Sequence, residues 1–447
     1  MNIEIVAIGD ELLLGFTINT NAAYLARQLA PLGIRIGRST TCADDARAIS
    51  AAVGEALERS DGVITTGGLG PTADDKSKPA VASLFGRKMV MHADILAALE
   101  ARWQNRYGHP LPPGNRQQAL MPEGCVVLGN NHGTAPGVWL ENESGRWVAM
   151  LPGVPREVRG MLADTLLPRL RLRIPKDAPV ISTLTLRSTG IAESALADRL
   201  GELAAGVDGL PLAFLPGNDG VDLRLTAWSL PREVAASALA TAAQRIRERV
   251  GQWIYGEADE DLAHLILEQC VERRLTIAVA ESCTGGGLGS RLTAIPGSSR
   301  SVLGGVIAYA NEVKIRELGV GPDVLERVGA VSEEVALAMA SGVRERFGAG
   351  VGLSITGIAG PDGGTPEKPV GTVWVGLSMA GQDMAVRGLL PGNRSEIRYR
   401  AAQMALDQLR RRFVALGFAA PGGASESTHA ASVASRSERI GWTTRVS

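Results

Sequence analysis

The pattern of apolar and polar positions in the first part of the chain predicts short buried strands separated by amphipathic helices. Ile3–Ile8 and Gly62–Thr66 are short apolar runs that end at glycines, which is typical of buried strands. Between them, Asn21–Leu32 carries apolar residues at helical spacing and Ile34–Thr40 has an extended pattern. A second helix begins at an aspartate cap, either Asp44 or Asp45. This alternation predicts a parallel, doubly wound α/β sheet.

The pattern changes further along and divides the chain into four segments. Residues 1–172 are the first α/β domain, and a basic, proline-bearing stretch follows them. Residues 173–257 contain strictly alternating strands and no cluster of reactive side chains, which predicts a small α+β module that serves as a spacer or docking domain. Residues 258–418 predict a second doubly wound α/β domain. Residues 419–447, rich in Ala, Gly, Ser and Thr, predict a disordered tail.

Composition and charge narrow the classes of function. The 447 residues include 46 Lys and Arg against 47 Asp and Glu, a formal net charge of −1, which argues against a nucleic-acid partner. The 4 cysteines show no CxxC pairing, so neither a zinc site nor a disulfide framework is expected. The sequence has no apolar run of the ~18 residues that a membrane span needs, and its start lacks the features of a signal peptide. We therefore expect a cytoplasmic protein that does not bind membranes.

A glycine-rich loop after the third predicted strand is the first candidate site. Gly67, Gly68 and Gly70 allow the backbone to approach a phosphate closely. Asp74 and Asp75 follow where a helix begins, and such carboxylates can hold a divalent cation that bridges a pyrophosphate. The spacing leaves open the alternative of a tight strand–helix turn with an aspartate cap.

The sequence Ala-Glu-Ser-Cys-Thr-Gly-Gly at residues 280–286 is the second candidate site, again at a turn from strand to helix. Ser282 suits a nucleophile there, with an oxyanion hole or phosphate cradle built from the following residues Thr284, Gly285 and Gly286. The alternative is that Ser282 or Thr284 only caps the helix. Cys283 is the rival nucleophile, because thiolates also attack amides.

Three later segments of the same domain carry groups that could assist this serine. Tyr309 and Lys314 offer a phenol and an amine, Gly357 and Gly360 belong to a second glycine-rich loop, and Arg394 has a planar guanidinium that can pair with phosphate. With no suitable histidine in this domain, the serine would need the lysine or the tyrosine for activation. A lysine acts as a base only when its pKa is lowered from about 10.4.

Together these motifs resemble the competence/damage-inducible protein CinA family over nearly the whole chain. Residues 9–15, 19–21, 66–75, 133–137 and 151–157 are similar to its molybdopterin-binding-type, MoaB/MogA-like domain. Residues 280–286, 309–314, 329–333, 357–364 and 368–373 are similar to its nicotinamide-nucleotide amidase domain. Several long motifs in the family's order make the resemblance specific.

The resemblance implies two hydrolytic activities on small nucleotides of pyridine-nucleotide recycling. The C-terminal domain would convert nicotinamide mononucleotide (NMN) to nicotinate mononucleotide and ammonia without a cofactor. Ser282 would attack the amide carbon, Tyr309 and Lys314 would activate it and shuttle protons, and Arg394 would hold the nucleotide. The amides of Gly285 and Gly286 would bind phosphate or the oxyanion.

The N-terminal domain would be a metal-dependent ADP-ribose pyrophosphatase with Asp74 and Asp75 as metal ligands, and we expect the protein to be a homo-oligomer, a dimer. Two alternatives remain, a molybdopterin-binding protein or molybdenum-cofactor enzyme, and a non-catalytic scaffold in DNA uptake or repair.

Overall fold

The computed structural model describes residues 1–70 and 76–418, which form two compact units. The first unit comprises Met1–Thr183 and Thr226–Ala240, and the second comprises Leu184–Leu225 and the chain from Thr241 onward. The predicted tail, residues 419–447, lies outside the described residues. In the described part of the chain, no helix is long and apolar enough to cross a membrane.

The first unit is built around a six-stranded sheet. Its strands and those of a separate antiparallel pair are β1 (Asn2–Ile8), β2 (Arg35–Cys42), β3 (Gly62–Thr66), β4 (Met89–Met91), β5 (Leu120–Pro122), β6 (Val126–Leu128), β7 (Gly137–Glu141) and β8 (Trp147–Leu151). The order is β2-β1-β3-β8-β7-β6, with β4 and β5 forming the pair. The four neighbouring strands β2, β1, β3 and β8 are parallel, as predicted. Strand β7 runs antiparallel to both β8 and β6.

The helices of this unit are α1 (Asp10–Leu13), α2 (Thr20–Leu29), α3 (Ala46–Arg59), α4 (Ser77–Leu84), α5 (Ala93–Tyr107), α6 (Pro155–Met161) and α7 (Leu167–Arg171). Asp45 caps α3, since its carboxylate accepts hydrogen bonds from the amides of Arg47 and Ala48. A π-helical turn, Leu162–Leu166, separates α6 from α7. Pro168 follows it and has no N–H to continue α-helical bonding, so regular α-helical hydrogen bonding is interrupted between α6 and α7.

Two apolar clusters cover the faces of the six-stranded sheet. One contains the stacked rings of Trp139 and Trp147, whose centroids are 4.4 Å apart. Gly62 lies against this stack, and a Cβ at that position would be 2.1 Å from the Trp147 ring. The glycine at the start of β3 is therefore required by packing.

The middle segment of the chain forms a four-stranded sheet of order β10-β11-β9-β12, with strands β9 (Val180–Ser188), β10 (Leu212–Pro216), β11 (Val221–Leu230) and β12 (Ile254–Glu257). Its helices are α8 (Glu193–Leu200) and α9 (Arg232–Val250). Strand β10 is antiparallel to β11, and β12 is antiparallel to β9. Residues of β11 alternate between buried and less buried positions over most of its length, as its sequence predicts.

The rest of the second unit contains a five-stranded sheet of order β14-β13-β15-β16-β17. Its strands are β13 (Ile277–Glu281), β14 (Val302–Ile307), β15 (Val351–Gly357), β16 (Thr372–Met379) and β17 (Gln382–Leu389), and its helices are α10 (Leu262–Glu272), α11 (Gly287–Thr293), α12 (Asn311–Leu318), α13 (Pro322–Val328), α14 (Glu333–Phe347) and α15 (Arg394–Ala415). Strand β13 is parallel to both β14 and β15, while β16 and β17 are antiparallel additions. The α/β class is confirmed, and the carboxyl ends of β13, β14 and β15 meet at one edge of the sheet.

Candidate active site

Ser282 lies in the turn that connects β13 to α11. Its amide donates to the carbonyl of Ile355 on the neighbouring strand at 2.9 Å, which ties the turn to the sheet edge. The residue is 8% exposed, and it lines a cavity of about 270 Å³. The serine is thus held by the backbone of the sheet and faces an open cavity.

The carboxylate of Glu281 holds this turn together. It accepts hydrogen bonds from the amides of Gly286 and Leu288 at 3.0 Å and from Gly289 at 2.7 Å. Glu281 is 1% exposed, and a buried carboxylate at a helix start is stabilised by such amides and by the helix dipole. The amides at the start of α11 are therefore already occupied by a side chain of the protein.

This arrangement corrects the prediction that the amides of Gly285 and Gly286 are free to bind an oxyanion or phosphate. The Gly286 amide donates to Glu281, and the Gly285 amide donates to the Ser282 carbonyl at 3.1 Å. Neither glycine lines the cavity. The physical reason is that the preceding glutamate supplies the anion that a helix start attracts.

The side chain of Thr284 is not part of the cavity lining. It is fully buried, and the Thr284 carbonyl accepts hydrogen bonds from the guanidinium of Arg398, the shorter at 2.6 Å. In the described chain, the backbone amides of Cys283 and Thr284 donate to no other residue. These two amides are the remaining candidates for an oxyanion hole beside Ser282.

Lys314, on α12, is the buried amine of the site. It is 1% exposed, and its Nζ donates to the carbonyls of Ala308 and Tyr309 at 2.9 and 3.1 Å. Burial lowers the pKa of the Lys314 amine from its ordinary value, because desolvation penalises the charged form and no carboxylate forms an ion pair with it in the described chain. Lowering its pKa in this way increases the fraction of neutral amine at a given pH.

Tyr309 and Arg394 form the exposed side of the same cavity. Tyr309 is 60% exposed, and its hydroxyl accepts a hydrogen bond from Arg394 Nη2 at 3.0 Å. Arg394 Nη1 donates to the carbonyl of Gly360 at 2.6 Å. Asn393 caps α15 just before Arg394, in a capping box with Glu396. The capping box fixes the helix start, and the Gly360 carbonyl and the Tyr309 hydroxyl hold the guanidinium at the cavity.

The cavity brings together six of the predicted residues, which are Ser282, Tyr309, Lys314, Gly357, Gly360 and Arg394. It also contains side chains that the sequence analysis did not single out, namely Asn311, Thr356 and Asp362. All three lie within or beside quoted motifs, but only the folded sheet edge shows that they face the same space. Thr356 Oγ1 donates to the Ala330 carbonyl at 2.8 Å, so it also fixes one wall.

Cys283 lines the cavity next to Ser282 but is poorly suited to attack. It is 6% exposed, and burial is the main reason that the pKa of its thiol is raised to about 11. Thiolate is the reactive form, so only a small fraction of this cysteine is nucleophilic near neutral pH.

In the first unit, Gly67 and Gly68 follow β3 with φ of 107° and 65°. A Cβ at Gly68 would lie 1.9 Å from Ser77 Oγ, so the loop packs tightly on the start of α4. Gly70 ends the described part of this loop, and Asp74 and Asp75 lie outside the described residues. The glycine part of the predicted loop is thus placed at the carboxyl end of β3.

The described residues of both units contain no group of three His, Cys, Asp or Glu side chains close enough to hold a metal ion. The aspartates predicted as ligands are among the residues that are not described. The described side chains therefore do not by themselves form a metal centre.

A cavity of about 250 Å³ in the first unit contains cations that the sequence analysis missed. Arg102, Arg106 and Arg156 line it together with the rings of Trp103 and Tyr107. Arg102 Nη1 donates to the carbonyl of Gly133 at 2.6 Å, which links α5 to the quoted motif at residues 133–137. Helix α5 has no glycine-rich signature, so its contribution was not visible in the sequence.

Comparison with known families accounts for almost the whole chain. A model described as probable molybdopterin binding domain matches residues 4–172, the damage-inducible protein CinA KH domain matches residues 183–256, and the CinA C-terminal domain matches residues 259–413. The KH-type character of the middle segment was not recognised from the sequence.

Individual relatives agree with these matches. A CinA-like protein of Gemmatimonas aurantiaca is 71% identical over 92% of this chain and 96% of its own length. A putative competence-damage inducible protein of Moorella thermoacetica is 44% identical over 91% and 97%, respectively. A crystal structure of competence/damage inducible protein CihA from Agrobacterium tumefaciens is 39% identical and covers 35% of this chain and 93% of that chain, with a TM-score of 0.33. Because the identity extends over nearly the full length of both proteins, this chain belongs to the CinA family.

Proposed function

We propose that the second unit is an amidase that hydrolyses the carboxamide of NMN, with Ser282 as nucleophile and Lys314 as base. The observation that carries this proposal is the single cavity that contains the serine, the buried lysine and the guanidinium of Arg394. A serine with a neighbouring amine of lowered pKa is a known way to activate a hydroxyl in the absence of histidine.

The chemistry follows from the protonation state of Lys314. Its neutral amine accepts the Ser282 hydroxyl proton while the oxygen attacks the carboxamide carbon. The tetrahedral intermediate places its negative charge near the amides of Cys283 and Thr284. As it collapses, the leaving nitrogen takes the proton from the lysine ammonium and departs as ammonia. Water then attacks the acyl-enzyme with the same lysine as base, releasing nicotinate mononucleotide and regenerating the serine.

Arg394 supplies the positive charge that a nucleotide substrate requires. Its side chain is exposed at the mouth of the cavity and is held by the Gly360 carbonyl and the Tyr309 hydroxyl. A guanidinium fixed in this way can pair with a phosphate through two parallel hydrogen bonds. In this scheme Tyr309 positions the arginine rather than serving as the base.

The test is ammonia release from NMN by the full-length protein. Ser282→Ala should lower the rate by about 10⁴-fold or more, whereas Cys283→Ala, the matched neighbour in the same cavity, should retain most activity. An active Ser282→Ala variant together with an inactive Cys283→Ala variant would make this a cysteine amidase and refute the assignment.

We infer a second activity, metal-dependent hydrolysis of ADP-ribose, for the first unit. The cavity with Arg102, Arg106 and Arg156 favours it, because guanidinium groups match pyrophosphate oxygens and the rings of Trp103 and Tyr107 suit a nucleobase. Asp74 and Asp75 remain the proposed metal ligands.

This activity is tested by ADP-ribose hydrolysis with and without a divalent cation. Asp74→Asn and Asp75→Asn should each abolish metal-dependent turnover, while the Ser282→Ala variant, changed in the other unit, should hydrolyse ADP-ribose normally. Wild-type rates in both aspartate variants would remove these carboxylates from the mechanism. A tightly bound pterin in the purified protein would instead favour the molybdopterin-binding alternative.

A further inference from the structure

The second unit contains another cavity, of about 590 Å³, that shares no lining residue with the amidase site. Its walls come from three places, which are the turn after β9, the turn between β10 and β11, and the segment from the end of β17 into α15. Its volume is within the range of small-molecule sites in proteins. The middle segment, expected from its sequence to carry no chemistry, forms half of this cavity.

Most of the lining is apolar, with Ile191, Pro216, Leu389, Leu390, Pro391 and Met404 among the contributors. Leu389 is 64% exposed, although it lies at the end of a strand. Such a surface favours a ligand with an apolar body, since burying it removes apolar area from water on both sides.

The carboxylates that line the cavity interior are already paired. Asp407 is 2% exposed, and its oxygens accept hydrogen bonds from the guanidinium groups of Arg410 and Arg411 at 2.7–2.8 Å. Asp219 is bound by Arg187 at 3.0 Å and by the Tyr399 hydroxyl at 2.8 Å. The negative charges of these two aspartates are therefore balanced by neighbouring residues.

Arg400 is the cation of the cavity that has no such compensation. It forms no ion pair within the described chain, and its one hydrogen bond there is from Nη2 to the Asn218 side-chain oxygen at 3.3 Å. Its Nε is buried without a hydrogen-bond partner among the described residues. The positive charge of Arg400 is therefore not balanced by a carboxylate of the described chain, and an anionic group bound in the cavity would supply that balance. Glu193 at the exposed rim is the remaining charged residue of the lining.

The turn after β9, which forms one wall of the cavity, packs closely against α15. Gly190 has a φ of 74°, and a Cβ there would lie 2.8 Å from both Asp407 Oδ2 and Arg411 Nη2. Gln403, 3% exposed, donates to the Thr189 hydroxyl at 3.4 Å and accepts from Arg291 at 2.7 Å. The backbone of the β9 turn is thus brought directly against a buried polar network, and the space beyond it has defined walls.

We propose that this cavity binds a small molecule that carries a carboxylate or phosphate group on an apolar body, with the anion on Arg400 and the body against Met404 and Leu389. The site is independent of the amidase proposal, because no residue of the amidase cavity contributes to it.

Fluorescent naphthalene probes test this directly on the full-length protein. The anionic probes are 1-naphthoate and 1-naphthyl phosphate, and 1-naphthamide is the uncharged control of similar shape. Fluorescence titration would measure the binding of each probe. Arg400→Gln should weaken the preferred anionic probe by about tenfold or more, the value of a lost charge-assisted hydrogen bond, and should leave 1-naphthamide unchanged. The two anionic probes distinguish a carboxylate ligand from a phosphate ligand.

Two further variants keep the test decisive. Arg412→Gln removes a charge from the same helix outside the cavity and should bind all probes as the wild type does. Ile191→Trp should fill the space and abolish binding of charged and uncharged probes alike, with melting curves to verify that both variants are folded. Equal affinity of wild type and Arg400→Gln for both anionic probes, or no binding of either by the wild type, would overturn the proposal.

Discussion

Replacing Lys314 with methionine should lower the rate of ammonia release from NMN by about 10²–10⁴-fold, the usual contribution of a general base. The change removes the amine and keeps an unbranched apolar chain in a position that is 1% exposed. Lys314→Arg is the matched variant, since it retains a positive charge and its donors but cannot lose a proton. If the neutral amine is the catalytic form, the arginine variant should be as inactive as the methionine variant.

The size of this loss of rate depends on how far burial lowers the Lys314 pKa, because the pKa sets the fraction of neutral amine. At an ordinary pKa of about 10.4, roughly one lysine in 2,500 is neutral at pH 7, and a pKa lower by one increases this fraction about tenfold. Desolvation lowers the Lys314 pKa in the folded protein, while the Ala308 and Tyr309 carbonyls that accept from its ammonium compensate for part of the loss of water. The kcat/KM of the wild type should therefore rise with pH and level off below pH 10.4.

The same shift predicts how stability depends on pH. Between the folded pKa of Lys314 and its unfolded value near 10.4, the unfolded chain binds more protons, so this residue's contribution to the free energy of unfolding increases as the pH rises. Lys314→Met should remove that contribution. Urea titrations at several pH values measure it separately from activity.

The reasoning would be refuted by a Lys314→Met protein that is folded, keeps at least a tenth of wild-type kcat/KM and retains the rising limb of the pH profile. If Tyr309→Phe then removed that limb, the phenol would be the base. A fully active Lys314→Arg variant would instead assign the lysine an electrostatic role.

Three further predictions concern the same unit. Glu281→Gln should lower the melting temperature and the amidase rate together, because one amide oxygen cannot replace the two carboxylate oxygens that accept from three backbone amides; unchanged stability and rate would contradict the role assigned to this carboxylate. Alkylation of Cys283 by iodoacetamide should be slow at pH 7 and accelerate toward pH 11, in line with its raised pKa; peptide mass mapping measures it, and rapid labelling at pH 7 would contradict the buried thiol. A fragment of residues 259–418 should keep ammonia release but melt below one of residues 180–418, since it lacks the Gln252 carbonyl that Arg410 binds at 2.9 Å; equal melting temperatures would show that the middle segment adds no stability.

Local sequence determined much of the secondary structure. The predicted strand Gly62–Thr66 agrees with the observed β3 residue for residue, because a short apolar run is followed there by Gly67 and Gly68. The quoted motifs also identified six residues of the cavity around Ser282, since turns after parallel strands all point to the same edge of a sheet.

The local sequence pattern did not predict whether neighbouring strands pair in the parallel or the antiparallel direction. Strands β6, β7 and β17 extend their sheets in the antiparallel sense and were not predicted. A three-residue strand such as Val126–Leu128 has too few positions to show a period, and its partner is chosen by hydrogen bonds that the sequence does not display.

The tertiary structure alone decided which groups at the sites are free to act. Glu281 and the glycine amides that it occupies are close in sequence, yet nothing in the pattern distinguishes an occupied helix start from an open one. Arg398 reaches the Thr284 carbonyl across 114 residues, and Arg400 lines a cavity with a turn from the middle segment. Burial is a property of the assembled core, so the lowered pKa of Lys314 exists only once distant segments have packed around it. The same holds for the buried Nε of Arg400, which has no hydrogen-bond partner among the described residues.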